Sequence, residues 1–245
     1  GYAEADATQD VEGVDAANKL AILSNLAFGA KVTMSDVHRE GITRLKSRDF
    51  LYARELGYSI KLMAMARKTD GKLQLRVHPV FVPYEVLMAR VDGVLNAVEI
   101  ETDLAERVLF HGPGAGSLPT SSAVVADIVN ISRNVVGNLE PPTSMAIDET
   151  LSIQPMCELE TKYYVRVIVE DKPGVLAQIA RILGESNSSI DSVLQKGTNE
   201  AAGTAELVLM THKARESSMQ EAIRLLGALP VVYEIGNVVR VEEWV

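Results

Sequence analysis

Apolar and polar positions follow a helical period first and a strand period next. Residues 14–28 (VDAANKLAILSNLAF) put Val14, Ala17, Leu20, Ala21 and Leu23 at helical spacings, with Gly29 placed to end a helix. Asp36, Val37, Glu40 and Ile42 suggest a short helix. Residues 47–56 (SRDFLYAREL) predict another, with Ser47 at its cap and Gly57 beyond its end. Residues 59–68 (SIKLMAMARK) and 73–82 (LQLRVHPVFV) alternate on either side of Asp70-Gly71, a dipeptide suited to a tight hairpin turn. A second strand pair is predicted at 96–102 and 107–111, and after the glycine-rich 112–116 (GPGAG) residues 120–134 form a long amphipathic helix. This order of helix, strands and helix predicts an α+β domain on a largely antiparallel sheet.

Residues 141–160 (PPTSMAIDETLSIQPMCELE) hold three prolines and show no sustained period, which marks a linker between a domain at 1–140 and one at 161–245. After it come a strand at 163–169, a turn at 171–174, a helix at 175–185, strands at 190–195 and 205–211, a helix at 215–226 and a last strand at 231–241. The order βαββαβ within one domain is the ferredoxin-like arrangement.

Composition narrows the chemistry. The 245 residues carry 24 Lys+Arg against 33 Asp+Glu, a formal charge of −9, without a basic stripe. That balance argues against nucleic acid and favours a small-molecule ligand. No apolar run reaches the roughly 20 residues that span a bilayer, and the first ten residues are acidic where a signal peptide begins basic. The expectation is a soluble, cytoplasmic protein without a membrane partner. One cysteine, Cys157, and four scattered histidines leave no disulfide framework and no paired metal-ligand spacing, so no metal site is expected. The chain opens on Gly1-Tyr2 without an initiator Met, which suggests that it begins inside a larger gene product.

The N-terminal residues 1–19 concentrate Glu4, Asp6, Asp10, Glu12 and Asp15 ahead of a single Lys19. Asp15 and Lys19 are i and i+4, so they share a helix face. On spacing alone this is equally an acidic first turn that complements the helix dipole, with a routine surface ion pair. The run GYAEADATQDVEGVDAANKLAIL resembles the signature of homoserine dehydrogenase, an enzyme that interconverts L-aspartate 4-semialdehyde and L-homoserine with NADP or NAD. The resemblance extends through ELGYSIKL (55–62), RVHP (76–79), VDGVLNAV (91–98) and GPGAGSLPTSSAVVADI (112–128). It implies that Lys19 is the general acid and base, that Asp10 orients substrate or Lys19, and that Glu4 and Asp15 hold the substrate ammonium. It further implies that Gly1 approaches the nicotinamide and that Gly114 or Gly116 lets backbone come close to the cofactor. One departure is Ala7, where the family usually has proline.

The glycine loop lacks the full G-x-G-x-x-G pattern and no βαβ unit follows it, so it is not a dinucleotide fingerprint of its own. The resemblance places the family's nucleotide-binding domain, a second catalytic lysine and a monovalent-cation site upstream of these residues, and the isolated chain is expected not to turn over. His78 and His111 are taken as structural. In the second half, EDKPGVLAQIA (170–180) and SSIDSVLQ (188–195) resemble an ACT domain, an amino-acid-sensing module. That resemblance implies effector contacts at Asp171, Pro173, Gly174 and Ile190, edge-to-edge pairing in a homo-oligomer, and L-threonine as the effector. The competing expectation is a non-enzymatic, amino-acid-binding oligomerisation fragment.

Overall fold

The computed structural model describes residues 6–138 and 147–244. Its elements in chain order are α1 (Thr8–Val11), α2 (Val14–Phe28), β1 (His38–Arg39), α3 (Ser47–Glu55), β2 (Tyr58–Thr69), β3 (Lys72–Pro83), β4 (Leu95–Thr102), β5 (Glu106–Pro113) and α4 (Ser117–Val136). These are followed by β6 (Ser152–Ile153), β7 (Glu160–Glu170), α5 (Val175–Glu185), β8 (Ile190–Asn199), β9 (Thr204–Thr211), β10 (Ala214–Arg215), α6 (Glu216–Gly227) and β11 (Val232–Val241). The mixed α and β content is as expected.

Local chemistry explains the best-defined boundaries. Gly13 and Gly29 take left-handed conformations (φ +69° and +62°) at the two ends of α2, so the helix starts and stops where a Cβ would be strained. Asp70 and Gly71 both have positive φ (+51° and +72°), the twist that a two-residue hairpin between β2 and β3 requires. Three sequence expectations fail. The segment at 36–42 is not a helix: a 3-10 turn at Met34–Asp36 leads into β1, which pairs in parallel with β3. The cap of α3 is Lys46 rather than Ser47, and the Asp49 carboxylate accepts the Lys46 amide. On α2 the buried face runs through Ala17, Leu20, Ala21 and Ser24, whereas Leu23 faces out.

Among the described residues a nine-stranded sheet follows the path β1-β3-β11-β7-β9-β8, with β2 and β6 paired to β3 and β10 to β7. The ferredoxin-like half therefore does not hang on a tether. Its last strand lies parallel to β3, with Arg240 opposite Val80 and Val241 opposite Phe81. The predicted linker lies partly outside the described residues; its later part forms β6 on β3 and a 3-10 turn at Met156–Glu158. A core is built from both halves: Tyr52, Ala53, Ile60 and Phe81 pack with Tyr164, Val208, Met210, Val239 and Val241. The rings of Phe81 and Tyr164 stack with centroids 4.6 Å apart. Three further clusters flank it: one of α2 against Leu73, Leu75 and Val77, one of α5 and α6 against β7 and β9, and a small one of Val80, Val82 and Ala89.

Charged side chains are buried in this shared region. Asp49 is fully buried and accepts hydrogen bonds from Arg166 Nε (2.7 Å), Asn237 Nδ2 (2.9 Å) and the Tyr164 hydroxyl (3.1 Å). Burial works to raise its carboxyl, but the Arg166, Asn237 and Lys46 donors outweigh it and hold the group below the ordinary range. Glu206, on β9, accepts from Tyr52 and Arg48 beside this cluster. A second cluster joins Arg240, Glu216, Glu40 and Tyr163.

Candidate active site and effector site

Three of the residues assigned to catalysis and substrate binding are described, and they lie around one helix start. Asp10 is on α1, whose chain turns back at Gly13, and Asp15 and Lys19 follow one helical turn apart on α2. Lys19 Nζ is 2.5 Å from Asp15 Oδ2, and both side chains are open to solvent. Glu4 and Gly1 lie outside the described residues.

The loop that carries Asp10 is held by its own short-range bonds. The Asp6 carboxylate accepts the Thr8 amide and hydroxyl at 3.0 and 2.5 Å. The Ala7 carbonyl then accepts the amides of Asp10 and Val11. Ala7 has φ −83°, near the value a proline ring imposes, so the alanine keeps the backbone shape without the ring. Behind the loop, Gly13 is pressed against β3: a Cβ there would come within 2.9 Å of Val77 Cγ1. This close packing fixes where α2 begins, and with it the direction of Asp15 and Lys19.

The two loop glycines assigned to the cofactor differ in their surroundings. A Cβ on Gly114 would lie 1.9 Å from Asn96 Nδ2, so the space Gly114 leaves is taken by a side chain of β4. Gly116, with φ +124°, is the N-cap of the long helix α4, and no side chain caps that helix start. Asp127 is an exposed residue of α4. No residue of α4 is buried, and Leu118, Ile128, Ile131 and Val135 all face outward.

His78 is an interior residue. It is fully buried on β3, with Nδ1 2.9 Å from the Pro79 carbonyl oxygen and, among the described residues, no partner for Nε2. Burial, reinforced by the neighbouring Arg240 and Arg76 cations, pushes it down to about 3, so it is neutral at pH 7. His111 is exposed on β5.

In the ferredoxin-like half, Gly174 (φ +88°) ends the turn after β7 and caps α5, with open space where its Cβ would be. A cavity of about 240 Å³ adjoins this turn, and Glu170, Asp171, Lys172, Leu176, Val193 and Gln195 are among its lining residues. Of the expected effector contacts only Asp171 is in that lining. Pro173 and Gly174 shape the turn, and Ile190 packs on the core at the start of β8. Val193 and Gln195, outside the expected set, also line the cavity: their i, i+2 spacing on β8 puts both on one face, but the register shift between Ile190 and Ser192 breaks the alternation that would start from Ile190, so no direct signal for them stands in the sequence. β8 ends the path of the sheet, so its edge is open to pairing.

No described helix is long and apolar enough to cross a membrane. Residues 1–129 match the family described as homoserine dehydrogenase, and residues 163–231 match the ACT domain. The homoserine dehydrogenase of Neisseria gonorrhoeae is 44% identical over 99% of this chain, and that of Pseudomonas aeruginosa is 43% identical over 98%. A crystal structure of a homoserine dehydrogenase from Thiobacillus denitrificans superposes with a TM-score of 0.91 at 41% identity, covering 99% of this chain and 56% of that one. That of the Staphylococcus aureus enzyme at pH 6.0 superposes with a TM-score of 0.71 at 30% identity, covering the whole of this chain. The chain spans 57% of the length of the Neisseria relative and 56% of the Pseudomonas one. With both halves matched in order and the fold shared along its whole length, the chain belongs to the homoserine dehydrogenase family.

Proposed function

We propose that this chain supplies the catalytic and regulatory parts of a cytoplasmic homoserine dehydrogenase, which reduces L-aspartate 4-semialdehyde to L-homoserine and runs the reverse oxidation. The observation that carries the reading is the Asp10, Asp15 and Lys19 set, gathered at one helix start within a sequence that matches this family almost end to end. Lys19 is the general acid: as charge develops on the aldehyde oxygen, its ammonium donates a proton there, and in the reverse direction the neutral amine takes the hydroxyl proton. Asp15, whose carboxylate lies 2.5 Å from Lys19 Nζ, binds the amino group of the substrate together with Glu4. Asp10 orients the substrate or Lys19. The nicotinamide cofactor, NADP or NAD, supplies the hydride to the aldehyde carbon when bound. Gly116 and Gly1 allow backbone to lie against it, while Gly114 serves mainly the packing of Asn96.

Among the described residues the parallel pairs do not build a doubly wound dinucleotide-binding sheet, and the chain spans 57% of the Neisseria relative; most of the cofactor's binding surface is assigned to the rest of the full-length protein. L-Threonine is the proposed effector, bound at the Asp171–Gly174 turn and the cavity beside it. The enzyme is a homo-oligomer, a reading supported by the open β8 edge and the exposed apolar face of α4.

The test is an assay of the full-length protein with L-aspartate 4-semialdehyde and NADPH or NADH, with and without L-threonine. Turnover with both partners, lowered by threonine, supports the whole reading. Turnover that threonine leaves unchanged, with no heat of threonine binding at millimolar concentration, removes the effector. Absence of turnover removes the enzyme and leaves a non-catalytic amino-acid-binding protein.

A further inference from the structure

The loop that carries Asp10 is joined to the ACT half by a short route of side chains through Glu40. The Val11 carbonyl accepts the Ile42 amide at 2.9 Å, and the Glu12 carbonyl accepts Arg39 Nη1 at 2.6 Å. Gly41 lies flush against the same backbone: a Cβ there would come 2.8 Å from the Val11 carbonyl oxygen and 2.9 Å from Glu12 Cα. Segment 39–42 is thus moulded to the catalytic loop, and the loop moves where that segment moves.

The segment is fixed from behind at two points. One is the backbone, where the Glu40 amide donates to the Val77 carbonyl at 2.8 Å. The other is the Glu40 carboxylate, which receives both terminal nitrogens of Arg240 at 2.8 and 3.0 Å and faces His38 Nε2 at 2.8 Å. Arg240 is on β11 and almost fully buried. Its other edge holds Glu216, the first residue of α6, through Nε at 2.8 Å and Nη2 at 2.6 Å. Glu216 is in turn fixed by the Tyr163 hydroxyl and the Gln220 amide. One planar guanidinium therefore grips two carboxylates, one against the catalytic loop and one at the head of an ACT helix, a geometry that lysine cannot reproduce.

We infer that Glu40 is a positioning residue for the catalytic loop and that Arg240 of the ACT half is its anchor, so the placing of Asp10 and the start of α2 depends on a strand from the regulatory module. A comparable buried pair, Asp49 with Arg166, joins the two halves elsewhere, and its hydrogen bonds go to Tyr164, Asn237 and Lys46 rather than to the loop. The molecule thus contains its own control: both pairs bind the halves together, and one of them holds the loop. For its kinetic arm the inference rests on the proposed dehydrogenase reaction; its structural arm does not.

The experiment uses the full-length protein with Glu40→Gln, Arg240→Lys and Asp49→Asn, followed by steady-state kinetics, thermal unfolding and amide hydrogen exchange. Glu40→Gln is expected to lower kcat/KM for L-aspartate 4-semialdehyde tenfold to about a hundredfold, the scale of a misplaced catalytic group. It should also speed exchange of the Ile42 amide and of residues 8–13. Arg240→Lys keeps the charge without the fork and should fall between Glu40→Gln and the parent, while Glu40→Asp recovers part of the loss. Asp49→Asn should lower the unfolding temperature while leaving KM within about twofold and Ile42 exchange unchanged, because it is not in contact with the loop. Parallel effects of Glu40→Gln and Asp49→Asn on both readouts would overturn the inference, as would unchanged Ile42 exchange in Glu40→Gln. If the parent protein shows no turnover, the reaction assignment fails separately and the exchange data alone decide; if Glu40→Gln does not fold, the comparison of Arg240→Lys with Asp49→Asn decides.

Discussion

Replacing Asp49 by alanine removes the acceptor at the centre of the buried contact between the two halves. Four donors converge on that carboxylate: Arg166 Nε at 2.7 Å, the Lys46 amide at 2.9 Å, Asn237 Nδ2 at 2.9 Å and the Tyr164 hydroxyl at 3.1 Å. Breaking a buried ion pair by deleting one partner costs about 3–5 kcal/mol, because the remaining charge stays buried. Arg166 still reaches Glu206 Oε2 at 3.4 Å, which lowers the cost here to about 2–4 kcal/mol. The assay is urea unfolding of the 245-residue chain at pH 7, followed by circular dichroism and by the fluorescence of Trp244, its single tryptophan. Arg166→Met completes a double-mutant cycle. With both charges gone and aliphatic volume kept, the double variant should be destabilised by less than the sum of the single ones, with a coupling of about 1–3 kcal/mol. A loss below about 1 kcal/mol for Asp49→Ala, or strict additivity, would refute the claim that this pair is an electrostatic unit.

His78 gives a pH signature. Its folded-state value is depressed to about 3 from 6.5, so between those limits the unfolded chain binds a proton that the folded chain refuses. Stability therefore falls as pH drops below 6.5, by up to about 1.4 kcal/mol per pH unit, and urea midpoints measured from pH 6.5 to 5 should show that slope and lose it in His78→Gln. Asp49 and Glu216, both held below the ordinary carboxylate range, contribute stability that is present above it and lost as pH falls through their folded values, so their effect begins at lower pH. Gly114→Ala should displace the Asn96 side chain and destabilise the loop, and Asn96→Ala in the same chain should relieve it; a Gly114→Ala defect that Asn96→Ala does not relieve would mean that the glycine is required for something other than this packing.

Elements punctuated by local chemistry were legible in the sequence. Gly29 ended α2 and Asp70-Gly71 turned the β2–β3 hairpin because positive φ is a property of the residue itself. Residues 36–42 were misread because a two-residue strand is stabilised by what it touches, here β3 and Arg240, rather than by its own period. The joining of β11 to β3 was also hidden, since an apolar strand does not say which neighbour it takes. The alternation over 73–82 does not show that both faces of β3 are covered, and Arg76 and His78 are buried along with their apolar neighbours. Charged residues inside otherwise apolar strands, as in LRVHPV, YVRVIV and VVRV, were the available signal of an internal polar seam. Asp15 and Lys19 could be paired from spacing, but their chemical task came only from resemblance, because an exposed i, i+4 pair is common on helices.

The central claim is that Lys19 moves the proton in a dehydrogenase reaction. It is tested most directly by measuring turnover of L-aspartate 4-semialdehyde and binding of the nicotinamide cofactor in full-length Lys19→Ala. The expected result is a fall in kcat of about 10²–10⁴, the usual contribution of a general acid, with cofactor affinity unchanged. Turnover within about tenfold of the parent would contradict it.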